Sequence, residues 1–326
     1  MTPQVTCVGE TMLLLTAVER APLDRASLLS MGVAGAESNV ACALAALGHR
    51  AAWLSSVGDD PFGRVIVRSL RERGVDVSGV RIDPDRPTAL FAKDTSPSGS
   101  AVHYYRAGSA ASALGPDLAG HPHVRAAGTV HLSGVTPALS SGCDALAEHL
   151  LTDPTLTVSF DVNHRPRLWE RGKAAPRLLE LARLADIVFV GRDEAEELWG
   201  TSTAVDVRSL LPDVDRLVVK DAEHGATEFH GDDAEYVPAP TVEVVEPVGA
   251  GDAFAAGYLA GDLRGLDAHR RLRLGHLCAG RVLRVVGDLA DPPPKWQVDE
   301  LLQVSDDRWT DRASAAVAAV GGDEHG

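Results

Sequence analysis

Four short apolar runs, at 129–132, 156–161, 187–190 and 217–220, recur along the chain with helical stretches between them. A strand followed by a helix and then another strand pairs in parallel, because the crossover helix carries the chain back to the edge from which it started. The same rhythm opens the sequence. A strand candidate at 5–9 precedes a helical repeat over 36–47 that stops at Gly48, and a strand at 51–57 precedes a helix running from Pro61 to Arg73 and closed by Gly74. Repeats of this unit predict an α/β fold with a mostly parallel sheet sandwiched by helices. A second apolar run at 12–16 either continues the first strand or crosses into another sheet.

Residues 76–106 break the rhythm. Two β-type runs, 88–93 and 101–106, flank a turn cluster at 94–100 and read as a hairpin apart from the main sheet. Beyond 220 come two long helical patterns, 252–263 and 268–286, then three prolines at 292–294 and a short helix near 298–304. From 305 to 326 the chain reads as a flexible C-terminal tail, its last part rich in alanine and glycine.

At 326 residues the chain has room for one large α/β domain, or for a main domain with a small second one. Its net charge of −15, with no local basic patch, argues against nucleic acid and anionic membrane surfaces as partners. No apolar run approaches membrane-spanning length, no basic-then-apolar leader opens the sequence, and the four cysteines are scattered singly. A cytoplasmic, disulfide-free protein is the expectation.

The stretch Glu246-Pro247-Val248-Gly249-Ala250-Gly251-Asp252 holds the most chemistry. Small residues let the backbone turn tightly against a ligand, and the helix that follows offers unpaired N–H groups and a positive dipole end. Asp252 then sits where a general base could take a hydroxyl proton, with the amides of 249–252 facing a transferring phosphoryl group. The same residues also suit an ordinary helix cap. Taken alone, the stretch leaves both readings open. No Walker sequence, His-Glu-x-x-His element or Gly-x-Ser-x-Gly elbow is present.

Three segments together settle the reading. The stretch from Glu246 onward resembles the C-terminal signature of the ribokinase-like (PfkB) sugar kinases. Ala34-Gly35-Ala36-Glu37-Ser38-Asn39-Val40-Ala41 resembles their N-terminal signature, and Val57-Gly58-Asp59-Asp60-Pro61-Phe62-Gly63 resembles the loop between. The resemblance implies a Rossmann-type main domain over 1–304 with a small β-sheet lid built from parts of 10–35 and 76–108. It also implies ATP and Mg2+ as cofactors and a homo-oligomer, a dimer through the lid. Within the family, Tyr104-Tyr105-Arg106-Ala107-Gly108-Ser109-Ala110, His131-Leu132-Ser133-Gly134-Val135-Thr136-Pro137-Ala138-Leu139 and Asp161-Val162-Asn163-His164-Arg165 resemble the branch acting on the sugar acid 2-keto-3-deoxygluconate.

Carried over by position, the resemblance makes Asp252 the base and Gly249, Ala250 and Gly251 the anion hole. It gives the sugar acid Gly35, Asn39, Phe91, Tyr104, Arg106, Asn163, Arg165 and Asp288. A planar guanidinium suits a carboxylate through paired hydrogen bonds, which makes Arg106 and Arg165 the expected carboxylate readers. Lys220, Gly225, Gly249, Gly251 and His276 fall to the nucleotide, and Glu194 to magnesium through water. Only four of the 31 basic residues are lysine, which adds weight to Lys220. The sequence departs from the pattern at Phe91, often tyrosine; at Glu246, where a monovalent-cation site would lie; at Gly191, in place of asparagine; at Ala222, in place of a loop glycine; and at His276, in place of an asparagine bordering adenine. A ketose kinase such as a fructokinase, or a sugar-acid-binding regulator without catalysis, are the alternatives.

Overall fold

The computed structural model describes residues 2–19, 21–96 and 99–319. Strands β1 (Val5–Val8), β2 (Met12–Ala17) and β3 (Leu29–Ala34) lead into helix α1 (Ala36–Ala46). Then come β4 (Ala51–Leu54), β5 (Ser56–Gly58), α2 (Pro61–Glu72), β6 (Arg81–Asp83), β7 (Leu90–Ser96) and β8 (Gly99–Tyr105). A short α3 (Pro122–Arg125) precedes the alternating part: β9 (Thr129–Ser133), α4 (Ser141–Leu151), β10 (Val158–Asp161), α5 (Ala174–Ala182), β11 (Ile187–Gly191), α6 (Arg192–Trp199), α7 (Ala204–Leu210) and β12 (Arg216–Asp221). The chain ends with β13 (Gly225–His230), β14 (Asp233–Pro238), α8 (Ala250–Leu263), α9 (Ala268–Val282), α10 (Lys295–Leu301) and α11 (Asp306–Ala318).

The main sheet has eight strands in the order β14-β13-β12-β11-β10-β9-β1-β4. Every pair from β12 to β4 is parallel, and β12-β13-β14 closes one edge as an antiparallel meander. Alternate side chains enter two cores, one on each face. Ile187 and Phe189 join the core beneath α1, α8 and α9, while Val188 and Val190 join the opposite one with Leu146 and Leu178. Helix α8 is buried from Asp252 to Gly261, and the absent side chain at Gly257 lets it lie against the backbone of α9 at Leu274.

A second sheet, in the order β3-β2-β7-β8, stands apart from the first. The run at 12–16 therefore crosses into this sheet. The apolar segment at 51–57 also splits, with β4 staying in the main sheet and β5 pairing in parallel with β6.

The tail is a correction. Residues 306–318, expected to be flexible, form α11, whose Trp309, Ala313, Ala316 and Val317 are buried in the core beside α9. Trp309 is 1% exposed, donates Nε1 to the Pro238 carbonyl at 2.9 Å and carries the Arg273 guanidinium 4.6 Å from its ring centroid. Residues 320–326 lie outside the described part. All four cysteines are buried and free, and among the described residues no helix is long and apolar enough to cross a membrane.

Candidate active site

Parallel strands deliver their carboxyl ends to one edge of a sheet, and loops leaving that edge can meet. Here Asp161 closes β10, Gly191 closes β11, and Lys220 lies one residue from the end of β12. Lys220 Nζ donates to Asp161 Oδ2 at 2.8 Å. Asn163 follows β10 in the left-handed region, at φ 40°, a conformation that asparagine tolerates better than most residues.

Asp252 lies in the first turn of α8, 7% exposed. Each of its oxygens has a donor: Asn39 Nδ2 on α1 reaches Oδ2 at 2.9 Å, and Asn163 Nδ2 reaches Oδ1 at 3.2 Å. Burial pushes the Asp252 carboxyl up to about 7; the Asn39 hydrogen bond opposes this, the Asp161 charge adds to it, and Arg165 and Lys220 oppose it. A carboxyl poised near neutrality can take and return a proton.

Gly249 caps α8 at φ 83°, and a β-carbon there would stand 2.5 Å from the Asp288 carbonyl oxygen, so only glycine fits. Among the described residues no side chain caps this helix; the Ala250 amide reaches the Pro247 carbonyl at 3.4 Å, and the Gly251 amide, in the same first turn, has no intrahelical partner. Lys220 Nζ is 3.4 Å from the position a Gly251 β-carbon would take, which sets its ammonium beside that turn. Burial disfavours the charge on Lys220, but the Asp161 and Glu194 carboxylates outweigh it and hold the ammonium above its ordinary range.

Glu194, in the first turn of α6, accepts from the Gly191 amide at 3.1 Å and from the His164 amide. Burial raises its carboxyl, the Asp161 charge adds, and Lys220 opposes. Two protein donors leave acceptor sites on the carboxylate for water, a set of hard oxygen donors that fits magnesium held at one remove.

The two arginines differ. Arg165 is exposed, among the described residues hydrogen-bonds only the His164 carbonyl, at 3.3 Å, and stands close enough to Asp252 and Asp288 to lower both. Arg106 is engaged within the protein: Nε donates to Glu10 Oε2 at 2.7 Å, and a terminal nitrogen pairs with the same oxygen. Among the described residues that leaves Arg106 one terminal nitrogen for a ligand. Its guanidinium lies 5.8 Å from the ring centroid of Tyr104, which stacks on Phe91 at 5.6 Å. Asp288, in the loop after α9, is raised chiefly by burial.

Gly35 caps α1 with its α-carbon against the Glu10 backbone, one turn before Asn39. A cavity of about 410 Å³ runs from Asn39 and Asp288 to Leu14 and Met31 of the small sheet. His276 departs from its expected place. Its Nε2 lies 3.1 Å from the Val237 carbonyl and its ring meets Phe254 edge-on at 5.1 Å, leaving it 5% exposed in the contact of α9 with β14. Gly225 packs against the same Val237 carbonyl from β13.

Three participants escape a reading by spacing: Asp161 as the partner of Lys220, Glu10 as the partner of Arg106, and Lys93, which reaches Glu246. The scarcity of lysine marks Lys93 as well as Lys220, and Lys93 shares its strand face with Phe91 two residues before it.

Residues 2–295 match the family described as pfkB family carbohydrate kinase. The chain is 36% identical over 303 residues to a 2-dehydro-3-deoxygluconokinase of Bacillus subtilis (strain 168), covering 90% of this chain and 94% of that one. It is 35% identical to a 2-dehydro-3-deoxygluconokinase of Thermoproteus tenax, covering 91% and 93%. A crystal structure of a PfkB protein from Polaromonas sp. JS666 superimposes with a TM-score of 0.80 at 31% identity, covering 88% of this chain and 98% of that one.

Proposed function

Because the chain belongs to the pfkB family of carbohydrate kinases, we propose that it transfers the γ-phosphoryl group of ATP to the terminal hydroxyl of 2-keto-3-deoxygluconate, giving the 6-phosphate. That sugar acid is the 2-dehydro-3-deoxygluconate in the names of its relatives from B. subtilis and T. tenax. The observation that carries the reading is Asp252: a buried carboxylate poised near neutrality, oriented by two asparagines, one residue beyond an uncapped glycine turn.

Asp252 takes the hydroxyl proton as the oxygen attacks phosphorus. The amides of Gly249, Ala250 and Gly251 receive the charge spreading over the phosphoryl oxygens, and Lys220 adds its ammonium. Gly225 borders the nucleotide beside Lys220, while His276 supports that wall from behind. Magnesium, when bound, would supply charge neutralisation to the phosphates, and Glu194 would hold it through water. Gly35, Asn39, Asn163 and Asp288 seat the sugar, Phe91 and Tyr104 cover it from the small sheet, and Arg165 reads the carboxylate with the free nitrogen of Arg106. The small sheet serves as a lid that excludes water. Its exposed Leu29, Met31 and Tyr105 support pairing with a second copy through the lid.

The test is coupled ADP release with Mg-ATP, comparing the keto acid with fructose, ribose and gluconate. A preference in kcat/KM of about a hundredfold for the keto acid is expected. Equal turnover of fructose would discard the carboxylate readers and favour the ketose kinase. Tight sugar-acid binding without ADP release would favour the regulator.

A further inference from the structure

The loop leading to the anion hole is held from three sides, and one of them is the lid. The amides of Val245 and Glu246 reach the Leu283 carbonyl at 2.7 and 3.3 Å, and Gly249 lies against the backbone of Asp288. Glu246 Oε2 accepts from the Gly287 amide at 3.3 Å, and its Oε1 pairs with Lys93 Nζ. Lys93 belongs to β7 of the small sheet, across a sequence separation of 153 residues. The pair is shielded: the Glu246 side chain is 13% exposed and that of Lys93 is 26% exposed. Asp288 is pushed up chiefly by burial and held down by an Asn39 hydrogen bond, with Glu246 raising it and Lys93 and Arg165 lowering it more weakly. The Glu246 carboxylate thus has a cation, and the chain itself provides it.

We infer that Lys93 is a tethered cation that straps the lid to the anion-hole loop through Glu246, and that its ammonium fills the place a free potassium or sodium ion would take there. A region already neutralised by a covalent ammonium does not suit a second monovalent cation. Activity is therefore independent of added alkali metal ions. Lys93 is a positioning residue: it acts on the phosphoryl group through Glu246 and the turn at Gly249, not by contact. Truncating it leaves the shielded Glu246 carboxylate without its cation, a place that a small ion from solution can then enter. The inference rests on the kinase reading for its kinetic arm and stands without it in its stability arm.

For the kinetic arm, turnover is measured in potassium- and sodium-free buffer and with about 0.1 M potassium or methylammonium, ionic strength being matched with tetramethylammonium. The native protein is expected to change by less than about twofold. Lys93→Ala should lose about tenfold or more in kcat without potassium and regain several-fold with potassium or methylammonium, while KM for ATP moves less. For the stability arm, potassium should raise the thermal midpoint of Lys93→Ala, but not that of the native protein or of Lys93→Ala combined with Glu246→Gln. Strong potassium activation of the native protein would overturn the inference, as would a Lys93→Ala variant that keeps its kcat or ignores potassium in both arms. If the native protein turns over no sugar while the stability arm behaves as stated, the kinase reading fails and the tethered cation stands.

Discussion

Arg106 and Glu10 form a buried ion pair that joins the end of β8 to the end of β1, with Nε 2.7 Å from Oε2 and side-chain exposures of 12% and 0%. Ser109 Oγ occupies the other Glu10 oxygen at 2.7 Å. Removing the guanidinium strands a carboxylate where water cannot reach it, at a cost of about 3–5 kcal/mol. Arg106→Ala is therefore expected to lower the urea midpoint strongly, and Arg106→Ala with Glu10→Gln to recover part of the loss. An Arg106→Ala variant as stable as the native protein would show the pair to be incidental.

Arg165 is the opposite case. Its guanidinium is exposed and without a carboxylate partner among the described residues, so truncation removes little from the fold, within about 0.5 kcal/mol. The expected effect falls on the substrate: KM for the keto acid rises about tenfold to a hundredfold, and KM for ATP stays within about threefold. Initial rates with each substrate varied separately decide this. A larger effect on ATP than on the acid would remove Arg165 from the sugar subsite.

Much of the scaffold was legible because its signals are local. Asp60 accepts from the Gly63 amide at 2.8 Å ahead of Pro61, and Gly48 and Gly74 close their helices at φ 86° and 84°; each is written within a few residues of the element it bounds. The site split along the same line. Asp252 and its glycine turn are contiguous and could be read, and so could Asn163 and Arg165 from one motif. The Arg106–Glu10 and Lys93–Glu246 pairs span 96 and 153 residues, and no spacing rule connects them. The destination of β2 was open for a related reason: an apolar run specifies a strand but not the sheet it joins.

Helix α11 shows how composition misleads. Its alanines and acidic residues resemble a solvated tail, yet alanine is also what permits close packing, and its one aromatic residue, Trp309, fixes the helix to β14 and α9. Trp309→Ala should cost about 3–5 kcal/mol by leaving a cavity and an unpaired Pro238 carbonyl. Urea unfolding measures it; a loss below about 0.5 kcal/mol would fit the flexible tail instead.

Asp252 links stability to turnover through its proton. A base must be ionised, so kcat/KM should fall on the acid side with an apparent value near the 7 to which burial pushes this carboxyl. Arg165 favours the ionised form, so Arg165→Ala should move that limb to higher pH. The stability sign is the reverse. A carboxyl whose folded value lies above its ordinary 3.8 binds its proton more tightly in the folded state. Its contribution is complete below the ordinary value and is lost as pH rises through about 7. Asp252→Asn carries no charge to desolvate, and its new N–H group can meet the Asn163 Oδ1, which is buried without a partner among the described residues, once that amide turns over. Asp252→Asn should therefore abolish most turnover while gaining about 1–3 kcal/mol at pH 8, a gain that shrinks towards pH 5. Urea unfolding at the two pH values, beside the rate profile, tests both signs. A variant that keeps its turnover would remove Asp252 as the base, and one that loses both turnover and stability at pH 8 would show that the carboxylate is held for the fold rather than for the proton.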